Sequence, residues 1–254
     1  MSTPSKVAFI TGASSGIGEA CARRFARADY RLVLTARRVE KLEALARELA
    51  VPCHVARLDV TDPQKIVDVV QKLPESFSTV DVFINNAGLA LGLEPAPSAS
   101  LEDWDDMIAA NVRGLVHATR AILPKMVAQD RGHIINVGSI AGSYPYPGGN
   151  VYGATKAFVH QFSLNLRADL LKTRIRVSCV EPGMVEGTEF SAVRFHGDTE
   201  KAKAVYQGVT ALRPEDVADA VLYCASCPPH VNVNVMELMP VDQAFGPFAL
   251  NRRT

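Results

Sequence analysis

Short apolar runs rich in β-branched residues alternate with longer segments of mixed polarity along the whole chain. Seven runs read as strands, at 6–10, 31–35, 53–57, 80–85, 133–137, 174–180 and 231–238. The early ones are apolar throughout rather than alternating, as strands covered on both faces are. Between them, apolar residues recur at helical spacing, for example at Val39, Leu42, Leu45, Ala46 and Leu49. Ser100 and Asp103 read as a capping box that opens a single helix over 101–126. Strand–helix alternation of this kind predicts an α/β fold, a doubly wound, mostly parallel sheet with helices on both faces. No repeat, low-complexity tract or linker divides the chain, so one Rossmann domain over 1–254 is expected. The stretch 184–212 breaks the pattern. It is charged, mixed and follows a Pro-Gly turn late in the fold, where open α/β sheets bind ligands. It is a candidate substrate lid, with an ordinary surface excursion as the alternative.

Composition narrows the classes of function. Lys and Arg total 27 and Asp and Glu 27, so no basic excess points to nucleic acid or an anionic membrane. No apolar run approaches the roughly 18–20 residues that span a bilayer. Residues 7–10 are too short a run for a signal peptide, so a soluble, cytoplasmic protein is expected. Five cysteines, an odd number, do not suggest a disulfide framework. Cys224 and Cys227 form a lone C-x-x-C without the two further ligands a zinc site needs, and read as plain thiols. No metal is called for.

The first strand ends in Thr11-Gly12-Ala13-Ser14-Ser15-Gly16-Ile17-Gly18, followed by a helical segment. Glycines there permit a tight turn and close backbone approach to a pyrophosphate, which the helix N-terminus then attracts. An NAD-binding chain places an acidic residue about 20 residues further on. Here the second strand ends Thr35-Ala36-Arg37-Arg38, with no Asp or Glu between Asp29 and Glu40. Two guanidiniums suit a 2′-phosphate, which favours NADP(H). Alternatively, the arginines solvate the helix that follows.

The glycine spacing resembles the cofactor motif of short-chain dehydrogenases/reductases, and the resemblance extends over essentially the whole chain. It implies further cofactor contacts at Asp59 and Val60 beside the adenine. Asn86, Ala87 and Gly88 of an Asn-Asn-Ala-Gly segment would lie beside the ribose. Pro182 and Gly183 would shield the nicotinamide carboxamide, together with Val185 and Thr188. Gly187 intervenes before Thr188, a departure from the family pattern that leaves the role of Thr188 open. Many NADP-preferring relatives also carry a basic residue in the glycine turn, where this chain has Ser14 and Ser15.

Tyr152 and Lys156 are four residues apart, hence on one face of a helix. A neighbouring ammonium favours phenolate, so the Tyr152 pKa is expected below its ordinary value of about 10. Ser139 follows the fifth strand, and Asn111 lies in the 101–126 helix. The set resembles the family's Asn-Ser-Tyr-Lys tetrad with every position filled. The resemblance implies that Tyr152 is the general acid/base and that Ser139 hydrogen-bonds the reacting oxygen. Lys156 would hold the nicotinamide ribose, and Asn111 would support a water relay to it.

The segments 86–92, 148–158 and 187–191 resemble one subgroup, the NADP-dependent 3-hydroxy acid dehydrogenases, which act on serine, L-allo-threonine, 3-hydroxyisobutyrate and malonic semialdehyde. A substrate of that class needs a partner for its carboxylate. Arg194 in the candidate lid can clamp one with two hydrogen bonds. Its alternatives are a solvent-facing or subunit-contact arginine, and His196 reads as a surface residue. Substrate contacts are therefore expected at Ser139, Tyr152 and Arg194. Family resemblance also implies a homotetramer, in which the helices around 111–126 and 151–171 pack on their copies in a neighbouring subunit, the second carrying Phe158, Phe162, Leu166 and Leu170 near one side. Two other readings stay open: a reductase of other carbonyls, such as 3-oxoacyl thioesters or sugars, and a non-catalytic NADP(H)-binding sensor.

Overall fold

Strand β1 (Val7–Thr11) is buried along its whole length because it is covered in every direction. It pairs in parallel with β2 (Arg31–Ala36) on one edge and β4 (Val82–Asn85) on the other. The computed structural model describes residues 5–246, so both ends of the expected 1–254 domain lie outside the described residues. With β3 (Cys53–Arg57), β5 (Gly132–Val137), β6 (Ile175–Pro182) and β7 (Val235–Leu238), the strands form one seven-stranded sheet in the order β3-β2-β1-β4-β5-β6-β7. All pairings are parallel. The expected doubly wound sheet is present, and its order reverses between β1 and β4, where such sheets open a crevice.

The period-2 geometry of β1 sorts its side chains between two cores. Ala8 and Ile10 pack with α1 (Gly16–Arg27), α2 (Val39–Glu48) and α9 (Pro214–Ser226) through Phe25, Leu42 and Val217. Val7 and Phe9 face α3 (Pro63–Gln71), and helices α5 (Leu115–Gln129) and α6 (Asn150–Asp169), through Ile66, Ile122 and Leu166. Helices thus cover both faces, and the apolar strands of the sequence are explained.

Three expectations are revised in detail. The 101–126 helix is broken into α4 (Leu101–Ile108), a π-helical turn (Ala109–Gly114) and α5. Ser100 caps α4, its hydroxyl accepting from the Asp103 N–H at 3.2 Å, but the expected box is only half made, because the Asp103 carboxylate turns to His196 at 3.0 Å. The last strand starts at Val235 rather than 231, because the Asn232 side chain takes the ladder's place. Its amide accepts from the Val177 N–H and donates to the Val177 carbonyl, each at 2.8 Å. On α6, Leu166 and Leu170 belong to the core, leaving Phe158, 39% exposed, stacked on Phe162.

The irregular stretch 184–212 is pinned at both ends by a parallel bridge between Val185 and Leu212. Between them lie two short helices, α7 (Phe190–Arg194) and α8 (Thr199–Ala204). Tyr206 ties this excursion to its own root, donating to the Val185 carbonyl at 3.0 Å and meeting Ser191 Oγ at 2.7 Å. Among the described residues, no helix is long and apolar enough to cross a membrane, and no cluster of three or more His, Cys, Asp or Glu could hold a metal.

Candidate active site

A cleft of about 740 Å³ opens at the carboxyl ends of the strands. At its floor the chain leaves β1 through Gly12 and Gly16, both at positive φ (69° and 56°), where a side chain would be strained. A Cβ on Gly12 would also lie 2.9 Å from Asn86 Nδ2. Ser15 is extended and sits at the N-cap of α1 with no side-chain capping bond, so the first amides of α1 face the cleft unclaimed by a cap. Asn86 Nδ2 donates to the carbonyls of Thr11 and Gly12 at 2.9 and 3.3 Å. The Thr11 hydroxyl accepts the N–H groups of Asn86 and Ala87 at 3.0 Å. The end of β4 is thereby stitched to the glycine turn.

Of the residues expected to hold a cofactor, all but Gly18 line the cleft. Gly18 lies behind the turn, where a Cβ would strike the Gly12 carbonyl and Asn86. Gly187 (φ 73°) bends the chain so that Thr188 lies against the glycine turn, its Cγ2 3.2 Å from where a Gly16 Cβ would be. The inserted glycine therefore keeps Thr188 at the cleft. Arg37 and Arg38 line the cleft just past the end of β2. A tight turn at positive-φ glycines, an amide-rich helix start and two guanidiniums fit a phosphorylated dinucleotide.

The catalytic candidates converge on the far side of the cleft. Ser139, just past β5, caps a 3-10 turn by accepting the Ala141 N–H at 3.2 Å. Close approach holds that turn on α6: a Cβ on Gly142 would be 2.7 Å from the Lys156 backbone. Tyr152 and Lys156 share one face of α6, with the ammonium 5.9 Å from the ring centroid. Lys156 Nζ donates to the Val137 carbonyl at 2.9 Å. Burial pushes the Lys156 pKa down to about 8. Burial also pushes Tyr152 up to about 12, against smaller lowering contributions from Ser139 and Arg194. This corrects the expectation of a lowered phenol. Desolvation of a ring that is 7% exposed outweighs the nearby cation.

Asn111 sits in the π-helical turn and does not line the cleft. Its amide donates to the Leu89 carbonyl at 2.8 Å and to Thr155 Oγ1 at 3.1 Å, while its Oδ1 accepts the Leu89 N–H at 2.9 Å. It thus joins the loop after β4 to α6, one residue from Lys156. Such π turns within helices frequently occur at functional sites.

Arg194, at the end of α7, also lines the cleft. Its Nε donates to the Gly92 carbonyl at 3.1 Å and its Nη2 to the Tyr146 hydroxyl at 2.8 Å. The guanidinium lies 5.5 and 5.6 Å from the ring centroids of Tyr146 and Tyr152. Phe190 meets Tyr152 edge-on at 5.8 Å. His196 instead pairs with Asp103 at 3.0 Å on the exposed side.

Sequence reasoning missed Tyr146, which orients Arg194, and Glu189, which pairs with Arg38. It also missed Gln243, whose Oε1 accepts the Met184 N–H at 2.8 Å beside the Pro-Gly turn. No local spacing marks them, because each contact joins distant parts of the chain.

The family model described as short chain dehydrogenase matches residues 6–198. The NADP-dependent 3-hydroxy acid dehydrogenase YdfG of Salmonella typhi is 54% identical over 97% of this chain and 99% of that protein. Sulfoacetaldehyde reductase 2 of Chromohalobacter salexigens is 50% identical over 98% of this chain and 99% of its own length. Among solved structures, the closed form of serine dehydrogenase complexed with NADP+ superposes with a TM-score of 0.96 at 51% identity, covering 97% of this chain and 100% of that one.

Proposed function

The chain belongs to the short-chain dehydrogenase family, and we propose that it interconverts a small 3-hydroxy acid and its 3-oxo counterpart with NADP(H). The observation that carries this reading is the placement of Arg194 beside Tyr152, in the cleft that Ser139 and Lys156 also line. It puts an anion-binding group within a few carbon atoms' reach of a proton donor. The relatives named for 3-hydroxy acids, serine and NADP support the same substrate class and cofactor.

When bound, NADPH supplies the hydride that reduces the carbonyl carbon, and NADP⁺ accepts it in the reverse direction. In reduction, Tyr152 gives its proton to the carbonyl oxygen as charge develops there. Its high pKa suits that step, since the phenol is protonated at neutral pH. Ser139 donates a hydrogen bond to the same oxygen, which stabilises the charge where it forms. Lys156 would hold the ribose hydroxyls and, as the stronger acid of the two, can return a proton to the phenolate that the transfer leaves on Tyr152. Asn111 positions the Leu89 loop and Thr155, and supports the water relay that returns a proton to Lys156. Arg37 and Arg38 would receive the 2′-phosphate, and Gly12, Ser14, Ser15, Gly16, Ile17, Asp59, Val60, Asn86, Ala87, Gly88, Pro182, Gly183, Val185 and Thr188 would line the rest of the cofactor cleft, with Gly18 packed behind the turn. Arg194, carried on a lid over 184–212, takes the substrate carboxylate.

The test is NADP⁺ reduction across a panel of 3-hydroxy acids and uncharged alcohols of the same length. Preference for the acids supports the reading, and equal rates would refute it. A second reading has one specific support, the similarity to a sulfoacetaldehyde reductase. A sulfonate would then replace the carboxylate on Arg194, and sulfoacetaldehyde reduction in the same panel separates the two. A 3-oxoacyl thioester or sugar offers Arg194 no such anion at that distance. The sensor reading has no support from a site with every catalytic position filled. The assembly we propose is a homotetramer in which the exposed face of α6 at Phe158 meets its copy, and light scattering at micromolar concentration tests it. Five unpaired cysteines suit the reducing cytoplasm.

A further inference from the structure

Arg38 has two claims on it. It is one of the guanidiniums assigned above to the 2′-phosphate, yet its Nη1 and Nη2 donate to the two carboxylate oxygens of Glu189 at 3.0 and 2.6 Å. Nη2 also reaches the hydroxyls of Ser14 and Ser15 at 3.2 and 3.0 Å. Lys41 Nζ donates to the same carboxylate at 2.9 Å. Glu189 stands immediately before α7, in the segment that carries Arg194.

This is not a neighbour pair on one helix, since 151 residues separate its members. The fork-to-fork geometry is the one a guanidinium offers to a phosphate. Hydrogen bonds from Arg38 hold the Glu189 pKa down to about 2, so the carboxylate is an anion at any physiological pH. Arg38 and Lys41 converge on it, two cations on one carboxylate. All three paired side chains are 39–46% exposed, which makes the contact weak enough for a more highly charged anion to exchange.

We infer that Glu189 and the 2′-phosphate are alternative anions for Arg38, so that a 2′-phosphorylated nucleotide displaces Glu189 and frees the start of α7. Selectivity then comes partly from the competitor. A ribose 2′-hydroxyl brings no charge with which to displace a carboxylate, so an unphosphorylated dinucleotide leaves the latch in place. The inference rests on the proposed reading of Arg38 as a phosphate residue.

Calorimetric titration with adenosine 2′,5′-bisphosphate and with 5′-AMP tests it, since the two ligands differ only in the 2′-phosphate. Glu189→Gln is expected to tighten the bisphosphate about two- to fivefold, the range of an exposed ion pair, and to leave 5′-AMP unchanged. Unchanged or weaker bisphosphate binding would overturn the competition, because Glu189 would then be absent from the site or be helping to shape it. Arg38→Gln separates this from failure of the underlying reading. If that variant binds bisphosphate as the wild type does, Arg38 is not the phosphate residue at all. Hydrogen exchange gives a second readout: the amides of 189–204 should exchange faster with bisphosphate than with 5′-AMP. Protection there by the bisphosphate would also overturn the latch.

Discussion

The guanidinium of Arg194 lies 5.6 Å from the ring centroid of Tyr152, with the Tyr146 hydroxyl holding it from the other side at 2.8 Å. On the proposed reading these are the substrate anchor and the proton donor, and their closeness limits the substrate to a few carbon atoms. A group that binds the remote end acts in ground and transition states alike, so it raises affinity more than turnover. Arg194→Met is therefore expected to raise KM for a 3-hydroxy acid by about tenfold or more, with little change for an uncharged alcohol. Steady-state kinetics on the two substrate types decide it. Equal losses on both would assign Arg194 to folding of the 184–212 segment, through its bond to Gly92.

Tyr152→Phe keeps the ring that packs on Phe190 and removes only the hydroxyl. Loss of general acid–base catalysis is typically worth about 10²–10⁴-fold in kcat, with the fold retained. The pH dependence of the wild type carries the same information. Because burial raises the Tyr152 pKa to about 12, its protonated form dominates at neutral pH. Reduction, which uses that form, should vary little from about pH 6 to 8, while oxidation, which needs the phenolate, should rise with pH. An oxidation rate that falls over this range would place the base elsewhere.

Much of this arrangement is legible in the sequence, and the exceptions share a cause. The apolar run of β1 and the spacing of Leu42 and Leu45 report burial directly, because each reflects its own neighbours along the chain. Gly12 and Gly16 are legible because their positive-φ backbone favours glycine, and at Gly12 a Cβ would also crowd Asn86. The π turn at Asn111 is not, since one wider turn hardly disturbs the apolar spacing of the 101–126 segment. The sign of the Tyr152 shift was missed because the Lys156 neighbour is visible as a four-residue spacing, whereas the burial that overrides it is contributed by the whole fold. Tyr146 and Arg194 meet across 48 residues, and Glu189 and Arg38 across 151, distances at which no periodicity speaks.

Cofactor choice gives a further test. Replacing Arg37 and Arg38 together by Gln should raise KM for NADP⁺ at least about tenfold and leave KM for NAD⁺ nearly unchanged, since a charge-assisted pair to phosphate is lost only with the phosphorylated cofactor. Kinetics with both cofactors measure it. A wild type that used NAD⁺ better than NADP⁺ would refute the assignment of these arginines.

Lys156 should be costly to the fold that carries it. Its pKa is lowered from 10.5 to about 8 by burial, so the folded state disfavours the ammonium relative to the unfolded chain. The sign follows from linkage: the penalty is fully present below about pH 8. It fades as pH rises toward 10.5, where the unfolded state still binds the proton and the folded state does not. At about 1.4 kcal/mol per pKa unit, the cost at neutral pH is on the order of 3 kcal/mol. Lys156→Met keeps the volume and removes the charge, but leaves the Val137 carbonyl without its 2.9 Å partner, a loss of about 1 kcal/mol. The net gain should raise Tm by several degrees at pH 7, with a smaller gain near pH 10 because the wild type has by then shed part of the penalty. Scanning calorimetry at the two pH values is the measurement, and activity should be lost in parallel, since the ribose contact and the cation beside Tyr152 go with the side chain. A lower Tm at pH 7 would mean that the hydrogen bond to Val137 outweighs the burial of charge, and that this lysine stabilises the protein it serves.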